Sequence, residues 1–494
     1  MPRLFLFGIG GTGSRVIKSL TMLLASGIQL KNDNLAQPEE YELIPIIIDP
    51  DTQNGDMIRT IELLKVYQSI HNQLGQRNEG FFQNKISTLR SLRPLTEDVG
   101  IQNTFNLDFS QTLGMPFKEF ISYNTINSIE TKWFLDLLYT DKNLHDNLTM
   151  GFLGNPNVGS VVLNKLKDSA EFKFFGTQFG HDDRIFIVSS IFGGTGAAGF
   201  PLLVKHFRDP NNGLTNVQAI NNSVIGAITI MPYFKVDTDN NCAVDSSTFI
   251  TKTKAALSYY DDNLTGVNAL YYIGDDFNAV KNYSAHDGGT NQQNNAHFIE
   301  VASALSVYDF IKNKDIAQNS GIKFFEYAIN GDNNCDVDYD RLCPESRHIL
   351  QKRLSQLFYL SLLNKKHIKN NSNLEQVWAQ RYGINESFKG DLFYKNLCKF
   401  FESNFDPWLK EMDSNQRKFK PFNLAVDIDN LVTSINSVPA KTLWFFDNFG
   451  EFDYGSFDKE LNNGRSELEN REKKFMDLWW KATDTVVSKH YTIN

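Results

Sequence analysis

Long hydrophobic runs are missing from the sequence, because its longest apolar stretches, such as 43–48 and 224–231, fall far short of the ~20 residues that cross a bilayer. Cysteine is also scarce, and its four copies fit neither a CxxC nor a Cys/His zinc pattern, which favours a reducing compartment over a disulfide framework. Positive charge is in deficit: the formal net charge is −9, whereas general nucleic-acid binding needs a basic footprint. We therefore expect a cytoplasmic protein with no membrane span and no nucleic-acid partner.

What the sequence does contain is a series of buried-strand patterns. Continuous apolar runs at 4–7, 43–48, 185–191, 224–230 and 269–273 are typical of strands that are covered on both faces. The first and third runs lead through a glycine turn into a helical pattern. Strand, glycine turn, helix and strand in this order predict an α/β fold with a parallel sheet.

The chain of 494 residues is long enough for two or three domains. We predict a first domain over 1–313, with a mostly helical insertion at about 62–148 and a long central helix at about 295–312. One more strand is predicted at 324–329. The rest of the chain has mainly helical and aromatic patterns, so 314–494 is predicted to be a mainly helical C-terminal domain.

Three glycine-bearing loops are the most informative motifs. They lie at 8–14 (GIGGTGS), 154–160 (GNPNVGS) and 193–199 (GGTGAAG), and each ends where a helical pattern begins. A glycine turn at a helix N-terminus exposes unpaired backbone N–H groups beside the positive end of the helix dipole, and this arrangement binds phosphate. Three such loops in one chain point to a nucleotide.

The sequence has no P-loop lysine, since GxxxxGK[ST] does not occur in it. Phosphate charge must then be neutralised by backbone amides, helix dipoles and Mg²⁺, with Asp49 and Asp51 as the nearby carboxylates. Thr12 and Thr195 can each add a hydroxyl hydrogen bond.

Taken in order, the motifs resemble those of the tubulin/FtsZ superfamily. The first loop is similar to the family's first phosphate loop, 49–53 (DPDTQ) to its Asn-Thr-Asp-Ala-Gln segment, and the second loop to its Gly-Ala-Asn-Pro-Glu-Val-Gly loop. The third loop resembles the signature Gly-Gly-Gly-Thr-Gly-Thr-Gly, although Phe192 and Ala198 replace small residues of that signature. The resemblance covers roughly 1–313 and implies a tubulin/FtsZ-like, Rossmann-type nucleotide-binding domain.

The resemblance also implies a ligand and the residues that bind it. We expect GTP or GDP with Mg²⁺, and ATP stays open because base selection is placed only near Asn295. The residues implied for nucleotide binding are Gly10, Gly11, Thr12, Gly13, Asp49, Asp51, Gly154, Asn155, Gly159, Gly193, Gly194, Thr195, Gly196 and Asn295.

Hydrolysis in this family needs acidic residues that enter the nucleotide site of the neighbouring subunit. The candidates are Asp336, Asp338 and Asp340, whose segment loosely resembles Asn-x-Asp-x-x-Asp. The alternative is a solvated acidic turn. A calcium loop is excluded, because Val337 and Cys343 occupy the positions where that loop requires Gly and Glu.

Three functions remain open from the sequence. The first is a GTPase whose nucleotide controls head-to-tail self-assembly into oligomers or filaments. The second is a non-hydrolysing scaffold or sensor subunit of a prokaryotic complex, such as a defence complex, which binds a partner protein through its helical C-terminal region. The third is a ThiF-like adenylating enzyme, which GxGGxGS after an N-terminal strand also resembles; the residues favour it least.

Two further pairs have competing interpretations. His297 and Glu300 lie one helical turn apart and could hold a metal, but a structural role is favoured because no second His is near in sequence. Trp479 and Trp480 could dock a partner or anchor the last helix on the core, and the anchor is favoured.

Overall fold

The computed structural model describes residues 1–35, 37–109, 115–148, 151–152, 154–236, 248–275, 288–313, 315–316, 321–328, 336–370, 374–432, 434–436 and 452–491, and the backbone of 282–283. Its main sheet consists of β1 (Arg3–Ile9), β2 (Glu42–Ile48), β3 (Arg184–Ser190), β4 (Val224–Ile230), β5 (Ala269–Gly274) and β6 (Lys323–Ala328). The strands are all parallel and lie in the order β6-β5-β4-β3-β1-β2.

The sheet has the composition that a covered parallel sheet requires. Almost every residue of β1 to β4 is buried, so these strands are apolar without alternation. The edge strand β6 instead alternates between half-buried and exposed residues. Strand order reverses between β1 and β3, and in open parallel sheets a ligand binds outside the carboxyl ends of the strands at such a point. The carboxyl ends of β1 and β3 are therefore the expected position of a ligand.

The first part of the chain adds helices between the strands. They are α1 (Gly10–Ala25), α2 (Gly55–Leu74), α3 (Phe117–Phe120), α4 (Ile129–Leu138), α5 (Asp141–His145), α6 (Pro156–Leu163), α7 (Ala170–Gln178), α8 (Gly194–Arg208), α9 (Val217–Asn221), α10 (Phe249–Asn263) and α11 (Phe298–Lys312). The central helix α11 begins three residues later than predicted, because His297 and Glu300 close its N-terminus. Within the described ranges, no helix has both the length and the hydropathy to cross a bilayer.

The predicted helical insertion at 62–148 needs a correction over 75–116. Apart from a 3₁₀ turn at Arg90–Leu92, the described part of this stretch has no helix. Its backbone instead pairs with the outer edge of β2, at Leu43 with Ile86 and at Ile47 with Asn106. An uncovered edge strand would invite pairing with another chain, and these extended contacts cover it.

The C-terminal part adds a second set of helices. They are α12 (Tyr339–Leu342), α13 (Arg347–Leu363), α14 (Val377–Tyr382), α15 (Glu386–Gly390), α16 (Leu392–Phe400), α17 (Asp406–Asp413), α18 (Tyr454–Asn463) and α19 (Arg471–His490). The sheet continues past the predicted domain boundary at 313/314, because β6 pairs with β5. The helical character that the sequence predicts for this part is present in the described residues.

These C-terminal helices pack directly on α1. The indole of Trp408 donates a hydrogen bond to the Ser19 hydroxyl over 3.2 Å. The Trp480 ring packs on Gly27, just after α1, so closely that a Cβ atom at Gly27 would lie 2.6 Å from the ring. Trp479 and Trp480 are both buried, so the pair is a core anchor. As a result, α1 is buried along almost its whole length.

Candidate functional site

A cavity of about 160 Å³ lies at the carboxyl ends of β1, β2 and β3, where the strand order reverses. Its wall includes most of the nucleotide-binding residues that the resemblance implies, namely Gly10, Gly11, Thr12, Asp49, Asp51, Gly154, Gly193, Gly194, Thr195 and Gly196. The cavity is smaller than the roughly 300 Å³ or more usual for a whole ligand, so it can take in part of a nucleotide. Residues 149–150, 153 and 237–247, which adjoin the wall in sequence, lie outside the described residues.

The first and third glycine loops touch each other across this cavity. Gly10 has φ +70° at the start of α1, a left-handed conformation that favours glycine. A Cβ atom at position 10 would lie 3.6 Å from the Cβ of Thr195, in the first turn of α8. Two helix N-termini separated by 184 positions therefore meet at one point.

The second loop joins them through its backbone. A Cβ at Gly194 would lie 2.9 Å from the Asn155 amide nitrogen, so only glycine permits this approach. The Asn155 side chain caps α6 by accepting hydrogen bonds from the amides of Asn157 and Val158. Gly159 packs against Phe152 and α8 instead of lining the cavity, and Gly13 packs against Gly8. Asn155, Gly159 and Gly13 therefore support the loops of the site without lining the cavity.

The helices that begin at the cavity differ in how their N-termini are satisfied. Within the described residues, α1 begins after Ile9 and α8 after Gly193, and neither helix has a side-chain cap or an acidic residue in its first turn. Such N-termini present free N–H groups and the positive end of a helix dipole. Both properties suit an anion, and phosphate in particular.

The two aspartates predicted for Mg²⁺ both lie in the wall of the cavity. Asp51 already accepts hydrogen bonds from the amides of Gln53 and Gly289, at 3.1 and 2.6 Å. Asp49 accepts one from the Asp51 amide at 3.0 Å. Burial raises the pKa of Asp49 to about 8, and a cation held beside its carboxyl group would lower that pKa. Within the described ranges, no cluster of three or more His, Cys, Asp or Glu forms a ready-made metal site.

Sequence reasoning missed Arg15, the buried cation of this site. Its guanidinium pairs with Asp56 and Glu300, each over 2.6 Å, and donates to the Tyr233 hydroxyl over 2.7 Å. Burial by itself lowers the pKa of Arg15, but Tyr233, Asp56 and Glu300 together raise it above its ordinary value. Arg15 is therefore charged, and it ties α1 to the N-terminal turns of α2 and α11.

Three phenylalanines form an aromatic wall on one side of the cavity. The ring of Phe192 lies 5.4 Å from that of Phe234 and 5.0 Å from that of Phe249. The bulky residue that departs from the family signature at position 192 is therefore packed against other rings. Gln292 and Asn294 add amide groups to the wall.

The structure does not bring Asn295 into the cavity. Its side-chain amide donates a hydrogen bond to the Ser414 hydroxyl over 3.0 Å, on the C-terminal region. It also lies three residues before α11, whose N-terminus is closed by His297 and Glu300. Its neighbour Asn294 lines the cavity and donates to Asp56 over 3.3 Å.

The proposed catalytic acids lie elsewhere: Asp336 and Asp338 precede α12, and Asp340 lies in its first turn. Asp338 caps this helix by accepting a hydrogen bond from the Arg341 amide over 2.9 Å, and Asp340 pairs with Arg347. Asp336 is exposed, and its carbonyl oxygen accepts from Arg341. Residues 334–335 of the same sequence motif lie outside the described residues.

Comparisons with known proteins add little to this geometry. No protein-family model matches the chain, and no curated protein matches it. Among solved structures, CetZ from Methanosaeta thermophila strain DSM 6194 is similar at a TM-score of 0.26 and 13% sequence identity. The alignment covers 64% of this chain and 52% of the CetZ chain. A TM-score this low does not establish a shared fold, so the description of the site depends on this chain alone.

Proposed function

We propose that the chain binds a nucleotide polyphosphate, with GTP as the expected nucleotide, at the cavity between β1 and β3. The observation that carries the proposal is the meeting of two uncapped helix N-termini, those of α1 and α8, at the switch point of a parallel sheet. The close approach of Gly10 to Thr195 supports a single ligand that contacts both loops.

The residues present fit such a ligand and its metal. The first-turn amides of α1 and α8 would hold phosphate oxygens, and the hydroxyls of Thr12 and Thr195 would add hydrogen bonds. Asp49 and Asp51 offer the carboxylate oxygens that Mg²⁺ prefers. Mg²⁺ would supply the positive charge that a P-loop lysine provides elsewhere, because Arg15 is already paired with two carboxylates.

The activity that we propose is that of a tubulin/FtsZ-like GTPase whose nucleotide controls self-assembly. In this scheme the acids Asp336, Asp338 and Asp340 serve the site of the next subunit in a head-to-tail oligomer. The support comes from the four sequence motifs and from the convergence of their loops in a parallel α/β sheet.

One observation favours a second candidate, a non-hydrolysing protein that uses the nucleotide as a structural or sensing ligand. Asp338 and Asp340 both have structural partners within their own chain, as a helix cap and as an ion pair. Carboxylates held in this way are less free to orient a water molecule in a neighbouring site.

Nucleotide binding is tested first by identifying what is released when the purified protein is denatured, and then by titrating GTP and ATP. Gly10→Ala should weaken GTP binding at least about tenfold, because the new Cβ fills the gap between two phosphate loops. Gly213→Ala is the matched control: Gly213 has φ +76° and open space around it, so the backbone strain is similar and the site is untouched. Equal GTP affinity in both variants would contradict the proposal.

Hydrolysis is tested with Asp338→Asn, which keeps the helix cap because Asn caps as well as Asp, but removes the carboxylate. The GTPase scheme predicts loss of turnover, which in the unchanged protein should rise with protein concentration. The second candidate predicts GTP binding with no turnover to lose. Turnover that stays constant per molecule over a wide concentration range would exclude an acid supplied by a neighbour.

A further inference from the structure

Residues 115–148 form a small lobe with a closed base. The chain enters and leaves through an antiparallel bridge between Pro116 and Asn147, beside which the Leu148 amide donates to the Met115 carbonyl over 3.2 Å. Inside the lobe, the rings of Phe117 and Tyr139 pack edge to face at 4.9 Å. This small core holds α4 on the outside of the lobe.

Helix α4 is inverted with respect to an ordinary surface helix. None of its residues is buried. Its inner side holds Leu135, which packs against the core, and polar groups at Tyr123: the Tyr123 hydroxyl donates to Asp136 over 2.7 Å, and the Lys132 ammonium lies 5.7 Å from the ring centre. Five of its six large apolar side chains turn outward, with exposed fractions of 55%, 66%, 59%, 81% and 47% at Ile129, Trp133, Phe134, Leu137 and Leu138.

The apolar face of α4 is large enough for a specific interface. Its five side chains expose roughly 600 Å² in total, given the usual areas of aromatic and aliphatic side chains. The largest apolar patch on a typical monomer is about 300–600 Å² and is often functional. A standard protein interface buries about 800 Å² on each partner. Two such faces together offer about 1,200 Å², which is the lower end of the range for specific, stable interfaces.

The charges on α4 argue against a membrane as the occupant. Helices that lie on membranes carry Lys and Arg on their polar face, which attract anionic lipids. The charged residues of α4 are Glu130, Lys132 and Asp136, two acids and one base. The partner of this face is therefore better sought among proteins.

The pattern of apolar residues is close to a palindrome, which is what a two-fold contact between identical helices requires. If two α4 helices pack antiparallel about an axis between positions 133 and 134, Trp133 of one copy lies opposite Phe134 of the other. Ile129 then lies opposite Leu138. Leu137 is the exception, because it faces Glu130. We propose that the outward face of α4 is the contact between two copies of this chain, packed antiparallel about a two-fold axis.

The test is the oligomeric state of the full chain by sedimentation velocity and light scattering, without nucleotide. The measurement uses nucleotide-free protein so that this contact is separated from any nucleotide-controlled assembly. Gly10→Ala should leave dimer formation unchanged. Trp133→Glu should raise the dimer dissociation constant about 30-fold or more, as loss of an interface hot spot does. Leu392→Glu is the matched control, since Leu392 is an exposed apolar residue on α16 with an exposed fraction of 63%; it should leave the dimer intact.

The arrangement of the two helices is tested by disulfide cross-linking. Glu130→Cys protein mixed with Leu137→Cys protein should give a covalent heterodimer, because these positions face each other across the two-fold axis. Either variant alone should cross-link no more than the unchanged chain. A chain that stays monomeric at high concentration, or a Trp133→Glu variant that dimerises as well as the control, would overturn the proposal. Recruitment of such a monomer to phosphatidylserine vesicles would assign the face to lipid.

Discussion

Four of the helices that begin beside the cavity, α1, α2, α8 and α11, begin in two different ways. Helices α1 and α8 start without a side-chain cap among the described residues. Helix α2 is capped by Asn54, which accepts from the amides of Asp56 and Met57, and α11 is closed by the reciprocal pair of His297 and Glu300. We interpret the difference as two roles that look alike in sequence: closed N-termini hold the framework, and open ones have free N–H groups for the proposed ligand.

Replacing Arg15 should have the largest effect on stability, because this residue joins a helix with an open N-terminus, α1, to the two helices with closed N-termini, α2 and α11. We expect Arg15→Met to lower the free energy of unfolding by about 3–5 kcal/mol, since Glu300 would keep a buried charge without its cation and Asp56 would lose one of its two. Urea denaturation measures the loss.

Arg59→Met serves as the control for this variant. Arg59 also pairs with Asp56, over 2.7 Å, but its side chain is partly exposed, so the expected loss is about 1 kcal/mol. A loss for Arg15→Met no larger than that of the control would show that the buried network does not hold the helices together.

The closed end of α11 should be sensitive to acid. His297 accepts a hydrogen bond from the Ile299 amide, and burial lowers its pKa to about 3, with Arg15 and Arg417 acting in the same direction. The unfolded chain binds the proton near pH 6.5, so folded stability is lost as the pH falls below that value. Between pH 7 and pH 5 the loss is about 2 kcal/mol.

His297→Asn keeps a capping side chain but cannot be protonated, and should therefore remove this part of the pH dependence. Chemical denaturation at pH 7 and pH 5 measures it. Asn54→Ala, which changes no ionisable group, should lower stability equally at both values. If His297→Asn follows the same pH profile as the unchanged chain, the histidine does not stay neutral in the fold.

A smaller effect is expected for the cap of α2 itself. Asn54→Ala leaves the amides of Asp56 and Met57 without their acceptor, and should cost about 1 kcal/mol of stability. Asn54 also lines the cavity, so GTP affinity is measured on the same protein. A change in affinity much larger than the change in stability would give Asn54 a direct role in binding.

A substitution can also close one of the two open N-termini, that of α8. Gly193→Asn gives α8 the kind of cap that α2 has, and should raise the stability of the ligand-free protein by only a few tenths of a kcal/mol. The same side chain would compete with phosphate for the first-turn amides, so GTP binding should weaken about tenfold. If GTP binds this variant with full affinity, the N-terminus of α8 is not part of the nucleotide site.

The sheet could be predicted from the sequence because its signals are local. Each of the strands β1 to β5 contains a continuous apolar run, and a strand covered on both faces has that composition wherever it lies in the chain. The glycine loops can also be recognised from the sequence, and ten of the residues implied for nucleotide binding line one cavity. Their role in binding stays a prediction.

The features that sequence reasoning missed depend on long-range contacts. Arg15 meets Asp56, Tyr233 and Glu300, which are 41, 218 and 285 positions away, so no local pattern marks it as the buried cation. Asn295 is predicted to lie at the nucleotide from motif order alone. Because α11 begins three residues later than predicted, the Asn295 side chain instead bonds to Ser414. Ile86 and Asn106 pair with the edge of β2, which needs covering, a requirement that their own sequence does not show.

The burial of α1 has a consequence for dissecting the protein. This helix begins at the cavity and is covered by Trp408 and Trp480 from the last third of the chain. A fragment cut near residue 313 would lose β6 and would expose the apolar surface of its first helix to water. Excising either half should therefore yield insoluble material, and heating the intact chain should melt both halves in a single cooperative transition.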